Sequence, residues 1–185
     1  MKKSLIIMAH PSSKGFSRNI AERYANAFSG ESEILDLYDP EWQQPFLTFE
    51  DMSKYPADDV REKIQEKIQL ASEIVFIFPL WWGYMPAILK NFIDQNFTAG
   101  FAFQYKNGRP VGLLSEKTAR IFITCDGPKW IYRLLLSPFF TLLKIITLRF
   151  CGIRTTSARL YDQKRKRNPE ELEKWLRDAE RLAEE

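Results

Sequence analysis

The run Glu73-Ile-Val-Phe-Ile-Phe-Pro-Leu-Trp-Trp-Gly-Tyr-Met-Pro86 decides the fold of this chain. Its first half is apolar without alternation, as expected of a strand buried on both faces in a parallel sheet covered by helices. A turn carrying two tryptophans and a glycine follows, and then Pro86, a residue suited to the first position of a helix. In an open α/β sheet, ligands collect at the carboxyl ends of the strands. Aromatic faces and a glycine at such an end therefore mark a site for a flat ring rather than core alone.

Similar units lie on either side. An apolar β-run at 3–8 leads through the polar turn His10-Pro-Ser-Ser-Lys-Gly15 into a helical pattern from 17 to about 28. A short alternating strand is expected at 33–38, followed by a long connection through Tyr55-Pro56 that contains Pro40, Pro45 and several aromatics. Val60, Ile64, Ile68 and Ala71 then recur at helical spacing. Further buried strands are expected at 118–124 and 152–160. Asn168-Pro169-Glu170-Glu171 is a strong helix start, with a cap, a proline and acids at the positive end of the dipole. Strands alternating with helices predict one flavodoxin-like domain over 1–185: a doubly wound, five-stranded parallel sheet in three α/β/α layers.

A chain of 185 residues with 45% hydrophobic content suffices for one such core. One histidine and two cysteines, Cys125 and Cys151, leave no His/Cys metal site to expect. With 27 basic and 24 acidic residues the charge is too balanced for a dedicated nucleic-acid surface. The start of the chain reads as a strand rather than a signal peptide, so a cytoplasmic protein with reduced thiols is expected. The apolar stretch 131–150 carries Arg133, Lys144 and Arg149 and is broken by Ser137-Pro138, so it reads as a buried or subunit-facing helix rather than a membrane span.

Three strand ends carry candidate chemistry. At the first, His10 and the helix start Ser17-Arg18-Asn19 bring a hydroxyl, free backbone N–H groups and a cation to a helix amino end, an arrangement suited to phosphate. At the second, the backbone N–H groups of Pro79-Leu80-Trp81-Trp82-Gly83 could meet the edge of a flavin ring while the indoles wall its plane, with assignment of one indole to the core as the alternative reading. The third is Thr124-Cys125-Asp126-Gly127, where Gly127 permits close backbone approach. Neither Gly-x-Gly-x-x-Gly nor the P-loop pattern is present. Lys164-Arg-Lys-Arg167 reads as a solvated loop, with the 2′-phosphate of NADPH or an anionic surface as the sharper alternative.

These residues resemble the flavodoxin-like NAD(P)H:quinone oxidoreductase family of quinone reductases, modulator of drug activity proteins and ancillary subunits of potassium efflux systems. The matching residues are Ala9-His10-Pro11 with Ser17, Phe76-Ile-Phe-Pro-Leu-Trp-Trp-Gly83, Met85 to Asp94, Gly100-Phe-Ala-Phe103, Thr124-x-x-Gly127 with Tyr132, and Phe150-Cys-Gly152. The resemblance implies a homodimeric enzyme that holds FAD, with FMN as the alternative, and passes hydride from NADH or NADPH to a quinone or similar aromatic acceptor. It places His10, Phe16, Ser17, Arg18 and Asn19 at the phosphate end, 79–83 and 124–127 around the ring, and a catalytic tyrosine at Tyr132. The histidine that pairs with this tyrosine in quinone reductases has no counterpart, since His10 is the chain's only histidine. Cys125 and Asp126 stand where well-known members carry threonine and glycine. Two other readings share the fold: a one-electron carrier of flavodoxin type, and a flavin-binding regulatory subunit whose membrane-protein partner would meet the 131–150 surface. A homodimer interface is the simpler reading of that surface.

Overall fold

The computed structural model describes residues 1–48, 50, 58–135 and 141–185. Its centre is a five-stranded sheet built from β1 (Lys3–Met8), β2 (Glu31–Asp36), β3 (Glu73–Pro79), β6 (Thr118–Cys125) and β7 (Arg154–Asp162). The order is β2-β1-β3-β6-β7, and every pairing is parallel. The chain starts near the middle, moves out to β2 and returns across β1 to β3. Connections leaving β1 and β3 therefore head to opposite faces and open a crevice at their carboxyl ends.

Alternation along each strand divides the core. Ile6, Met8, Val75, Ile77 and Phe122 face α1 (Phe16–Ala27) and the last helix, α5 (Pro169–Glu184). Leu5, Ile7, Ile74, Phe76 and Ile121 face the side of α2 (Asp59–Leu70) and α3 (Ala87–Asn96), where Ile64, Ile68, Leu89 and Phe92 pack. The amino ends of the strands hold a buried charge. Glu73 accepts from Arg120 Nε at 2.7 Å, from Tyr24 Oη at 2.6 Å and from Ser4 Oγ at 3.1 Å.

Helix α5 starts as its sequence demands. Asn168 Oδ1 accepts the Glu171 N–H at 2.9 Å, and Glu171 Oε2 accepts the Asn168 N–H at 3.1 Å, a reciprocal capping box with Pro169 following the cap. Replacing Asn168 with alanine should cost about 1 kcal/mol, a drop in Tm of roughly 2–4 °C for a chain of this size, measurable by thermal melting.

Several elements depart from the sequence reading, among them β7, which occupies Arg154–Asp162 rather than 152–160. Strand β2 occupies Glu31–Asp36 rather than 33–38, because register with β1 pairs Lys3 with Glu31 and Met8 with Asp36. Beyond that point Asp36 Oδ1 accepts the Tyr38 N–H at 3.0 Å and turns the chain away. The segment 97–105, for which no strand is expected, buries Phe97 and Ala102 and enters an antiparallel ribbon, β4 (Phe103–Lys106) and β5 (Arg109–Gly112). Asn107 and Gly108, at φ 54 and 73, make its turn. Finally, within 131–150 the described residues form α4 (Lys129–Leu135) and a segment of π-helical geometry (Leu142–Arg149), and the expected break at Ser137-Pro138 lies outside the described residues. Residues 49 and 51–57 of the long connection through Tyr55-Pro56 lie outside them as well.

Candidate functional site

The connections after β1, β3, β6 and β7 meet at one end of the sheet around a cleft of about 530 Å³. Its most buried polar side chain, Ser17, lies at the start of α1. The cap position, Gly15, supplies no side-chain cap, so the first-turn amides of Phe16 and Ser17 have no capping oxygen. Ser17 itself is 1% exposed, and its Oγ has no hydrogen-bond partner. A buried hydroxyl without a partner carries a desolvation cost that an oxyanion ligand at a helix amino end would relieve.

His10 lies beside it. The Ser12 N–H donates to Nδ1 at 3.0 Å, which leaves Nε2 as the N–H donor of a neutral ring. A Cβ on Gly15 would stand 2.9 Å from His10 Cε1, so a larger residue at 15 would push the imidazole aside. Burial lowers the His10 pKa from 6.5 and outweighs the opposing Ser12 backbone contact; the Lys164 charge lowers it further, and Asp36 raises it. A base that resists protonation in the folded state contributes stability that is complete above pH 6.5 and is lost as pH falls below it. Denaturant titrations from pH 8 to 5 should show this loss in the native chain and a smaller one in His10→Gln; equal pH profiles would refute it.

The other phosphate-end candidates separate. Phe16 lines the cleft with its ring edge-on to Tyr161 and Trp175, at 6.4 and 6.0 Å between centroids. Arg18 turns away to Asp36 at 2.5 Å, and Asn19 is exposed on α1; neither lines the cleft. Helical spacing explains this, since residues one and two after Ser17 point to other faces of α1.

On the ring side, Pro79, Leu80 and Trp81 line the cleft. Trp81 and Tyr84 exchange two backbone hydrogen bonds of 2.9 Å around Trp82 and Gly83, which sit at φ 51 and 77. Two positive φ values define a type I′ turn, and a tryptophan at such a φ is strained. Trp81 is 43% exposed and Trp82 fully exposed, so neither indole belongs to the core, and Trp82 and Gly83 stand outside the cleft lining. The Leu80 N–H is used by Thr124 O at 2.7 Å and the Trp81 N–H by Tyr84 O, which leaves Trp82 and Gly83 as the donors of this segment.

Thr124, Cys125 and Asp126 complete that wall together with Tyr132 from α4. Tyr132 Oη accepts the Gly127 N–H at 3.2 Å, and a Cβ on Gly127 would lie 2.5 Å from that oxygen. Burial pushes the Cys125 thiol up to about 12, so it stands in the cleft as an un-ionised, unreactive group. Lys14, Lys164 and Arg165 also line the cleft, although the sequence reading left the last two as a solvated loop. The available signal was topological: the loop after the last parallel strand opens on the same end of the sheet as the other three.

The fold and its switch-point cleft define a flavodoxin-like protein. The chain belongs to the Flavodoxin_2 family, described as having a flavodoxin-like fold, whose model matches residues 2–183. Among curated relatives, an uncharacterized NAD(P)H oxidoreductase of Haemophilus influenzae is 38% identical over 128 residues, covering 65% of this chain and 62% of that protein. NAD(P)H dehydrogenase [quinone] 1 of Cavia porcellus is 28% identical over 190 residues, covering 86% of this chain and 68% of its own length. The matches thus span about two thirds of these relatives. Among solved structures, Smu.1420 of Streptococcus mutans superposes with a TM-score of 0.87 at 29% identity over 98% of both chains. The NAD(P)H:quinone oxidoreductase of Methanothermobacter marburgensis, at 22% identity and TM-score 0.84 over 99% of this chain and 98% of its own, adds likeness of fold. Among the described residues no helix is long and apolar enough to cross a membrane.

Proposed function

We propose that this protein is a flavin-dependent oxidoreductase that takes hydride from NADH or NADPH and delivers it to a quinone or similar aromatic acceptor. The observation that carries the reading is the buried, unpartnered Ser17 hydroxyl at an uncapped helix start, within a cleft whose far wall is an aromatic turn. Those features fit the phosphate and the flat ring of a flavin, and the quinone-reductase names of the relatives agree with them. A bound flavin supplies the two-electron chemistry there.

The protein's own residues do the placing. Ser17, the first amides of α1 and His10 Nε2–H hold phosphate, while Leu80, Trp81, Thr124, Cys125 and Asp126 bound the ring and limit water access. Tyr132, anchored through Oη to the Gly127 amide, presents a phenol that can hold a proton beside the reacting ring without a histidine partner. FAD is the favoured flavin, on the charge of the cleft rim. A homodimer accounts for the exposed apolar side chains Trp130, Leu134, Ile145 and Ile146, and the free thiols Cys125 and Cys151 suit the cytoplasm.

The test is an absorbance spectrum with added FAD or FMN, then anaerobic NADH or NADPH, then a quinone. Bleaching of a bound-flavin band by nicotinamide and its return with quinone are expected. Flavin that binds but resists bleaching would favour the electron carrier or the regulatory subunit, and no binding of either flavin would remove the cofactor assignment.

A further inference from the structure

We propose that Asp162, which ends β7 and does not line the cleft, is a positioning residue for the hydride-transfer site: its carboxylate fixes the first turn of α4 and so sets the place of Tyr132 against the Gly127 amide. The inference rests on the role given to Tyr132 in the flavin reading above and names the residue on which that role depends.

Tyr132 is held at two points. One is the 3.2 Å contact of its Oη with the Gly127 N–H. The other is α4 itself, and within one protomer that helix is loosely seated: Trp130 and Leu134 point outward, and none of the described side chains of Lys129–Leu135 is buried. Packing of an apolar face is what ordinarily seats a helix in a protein, so α4 needs another tie. Asp162 supplies it. The Lys129 N–H, a first-turn donor that no carbonyl within the helix can accept, donates to Asp162 Oδ2 at 2.8 Å.

Strand register extends the reach of that bond beyond the helix. Asp162 pairs with Cys125 across the last two parallel strands. The chain leaves β6 at Cys125, turns through Asp126-Gly127-Pro128 and arrives at Lys129, so one residue of the neighbouring strand holds both ends of the turn that carries the Gly127 amide. The carboxylate is itself fixed. Its side chain is 14% exposed, Oδ1 accepts from Arg167 Nη2 at 2.9 Å, and Arg167 Nε donates to the Asp162 carbonyl at 3.3 Å. Arg167 is held in turn by Glu171 at 3.0 Å and lies 5.4 Å from the Trp175 ring centroid. With Oδ1 occupied, Oδ2 is turned to Lys129. A run of fixed contacts thus leads from α5 through Asp162 to the phenol in the cleft wall.

The test removes the tie from either side. Lys129→Pro deletes the N–H while Asp162 and Arg167 stay, and proline suits the first helical position; Lys129→Ala keeps the N–H and removes only the side chain. Lys129→Pro and Asp162→Ala should each lower kcat for NAD(P)H-dependent quinone reduction about tenfold with KM little changed, and Lys129→Ala should match the native chain. Added to Tyr132→Phe, Lys129→Pro should cost less than about a further twofold, because both act through the same phenol. In the flavin-free chain, hydrogen exchange at the Gly127 amide should quicken about tenfold in Lys129→Pro and Asp162→Ala while the amides of β1 and β3 keep their native rates, a pattern that general loss of stability does not produce. Native exchange at Gly127 in both variants overturns the proposal, as does native kcat in both or full additivity with Tyr132→Phe. A native chain that binds no flavin, or whose flavin nicotinamide does not bleach, overturns the flavin reading and the catalytic role with it, whereas Gly127 exchange, measured without flavin, separately decides whether Asp162 holds the turn.

Discussion

Replacement of Arg120 by alanine should lower the stability of this protein by about 3–5 kcal/mol, the range for breaking a buried ion pair by removing one partner. Glu73 and Arg120 are both buried and lie next to each other on neighbouring central strands, with Nε to Oε1 at 2.7 Å. Tyr24 and Ser4 satisfy the second carboxylate oxygen, but neither carries a positive charge. Without the guanidinium, a carboxylate would remain at the end of the sheet core with neutral donors alone. Burial and the Glu73 carboxylate already push the Tyr24 phenol well above its usual pKa, so Tyr24 cannot share the charge by ionising. The measurement is the denaturant midpoint and slope of Arg120→Ala against the native chain. Glu73→Met/Arg120→Met should recover most of the loss, because it removes both charges and keeps the volume. A single-variant loss below about 1 kcal/mol would show that the pair is not buried as described.

A second large effect is expected at Gly127, on catalysis rather than stability. An alanine Cβ there would lie 2.5 Å from Tyr132 Oη and 2.9 Å from Cζ, so the ring must swing out and give up the Gly127 N–H. Overpacking costs about 1–3 kcal/mol where the surroundings are fixed, but Tyr132 is half-buried and free at one end, so the stability loss falls near the bottom of that range. Displacing a group beside the reacting ring by about 1 Å is enough to cost on the order of 100-fold in turnover. Gly127→Ala should therefore reduce NAD(P)H-dependent quinone reduction by about that factor and leave the unfolding curve nearly in place. Tyr132→Phe separates the hydroxyl from the ring: a small loss would assign the role to ring position, and a loss equal to that of Gly127→Ala would assign it to the phenol. Unchanged turnover in Gly127→Ala would remove Tyr132 from the mechanism.

The sheet was legible because its central strands are apolar over most of their length, and β1, β3 and β6 lie within a residue of their expected bounds. Strand β2, at the sheet edge and only partly buried, lacks that signal, and pairing register decided its ends. The ribbon did announce itself, since Asn107-Gly108 is a strong hairpin dipeptide, but its short strands are mostly exposed and resemble a loop with aromatics. At the site, the strand-end logic located His10, Ser17, Pro79, Leu80, Trp81, Thr124, Cys125 and Asp126, and the family resemblance added Phe16 and Tyr132; all of these line one cleft. It overreached at Arg18, whose charge is taken by Asp36 on a neighbouring strand, a contact no local pattern reveals. It fell short at Lys164 and Arg165, because a basic run before a helix looks the same whether it faces solvent or a cleft.

The strained turn at Trp82 gives the molecule its own optical reporter. One indole stands wholly in water and its neighbour, Trp81, forms part of the cleft wall. Any chromophoric occupant would lie within energy-transfer range of both, so cofactor loading and loss should register in the native emission without a label. A backbone conformation that costs folding energy thus leaves occupancy readable from outside the protein.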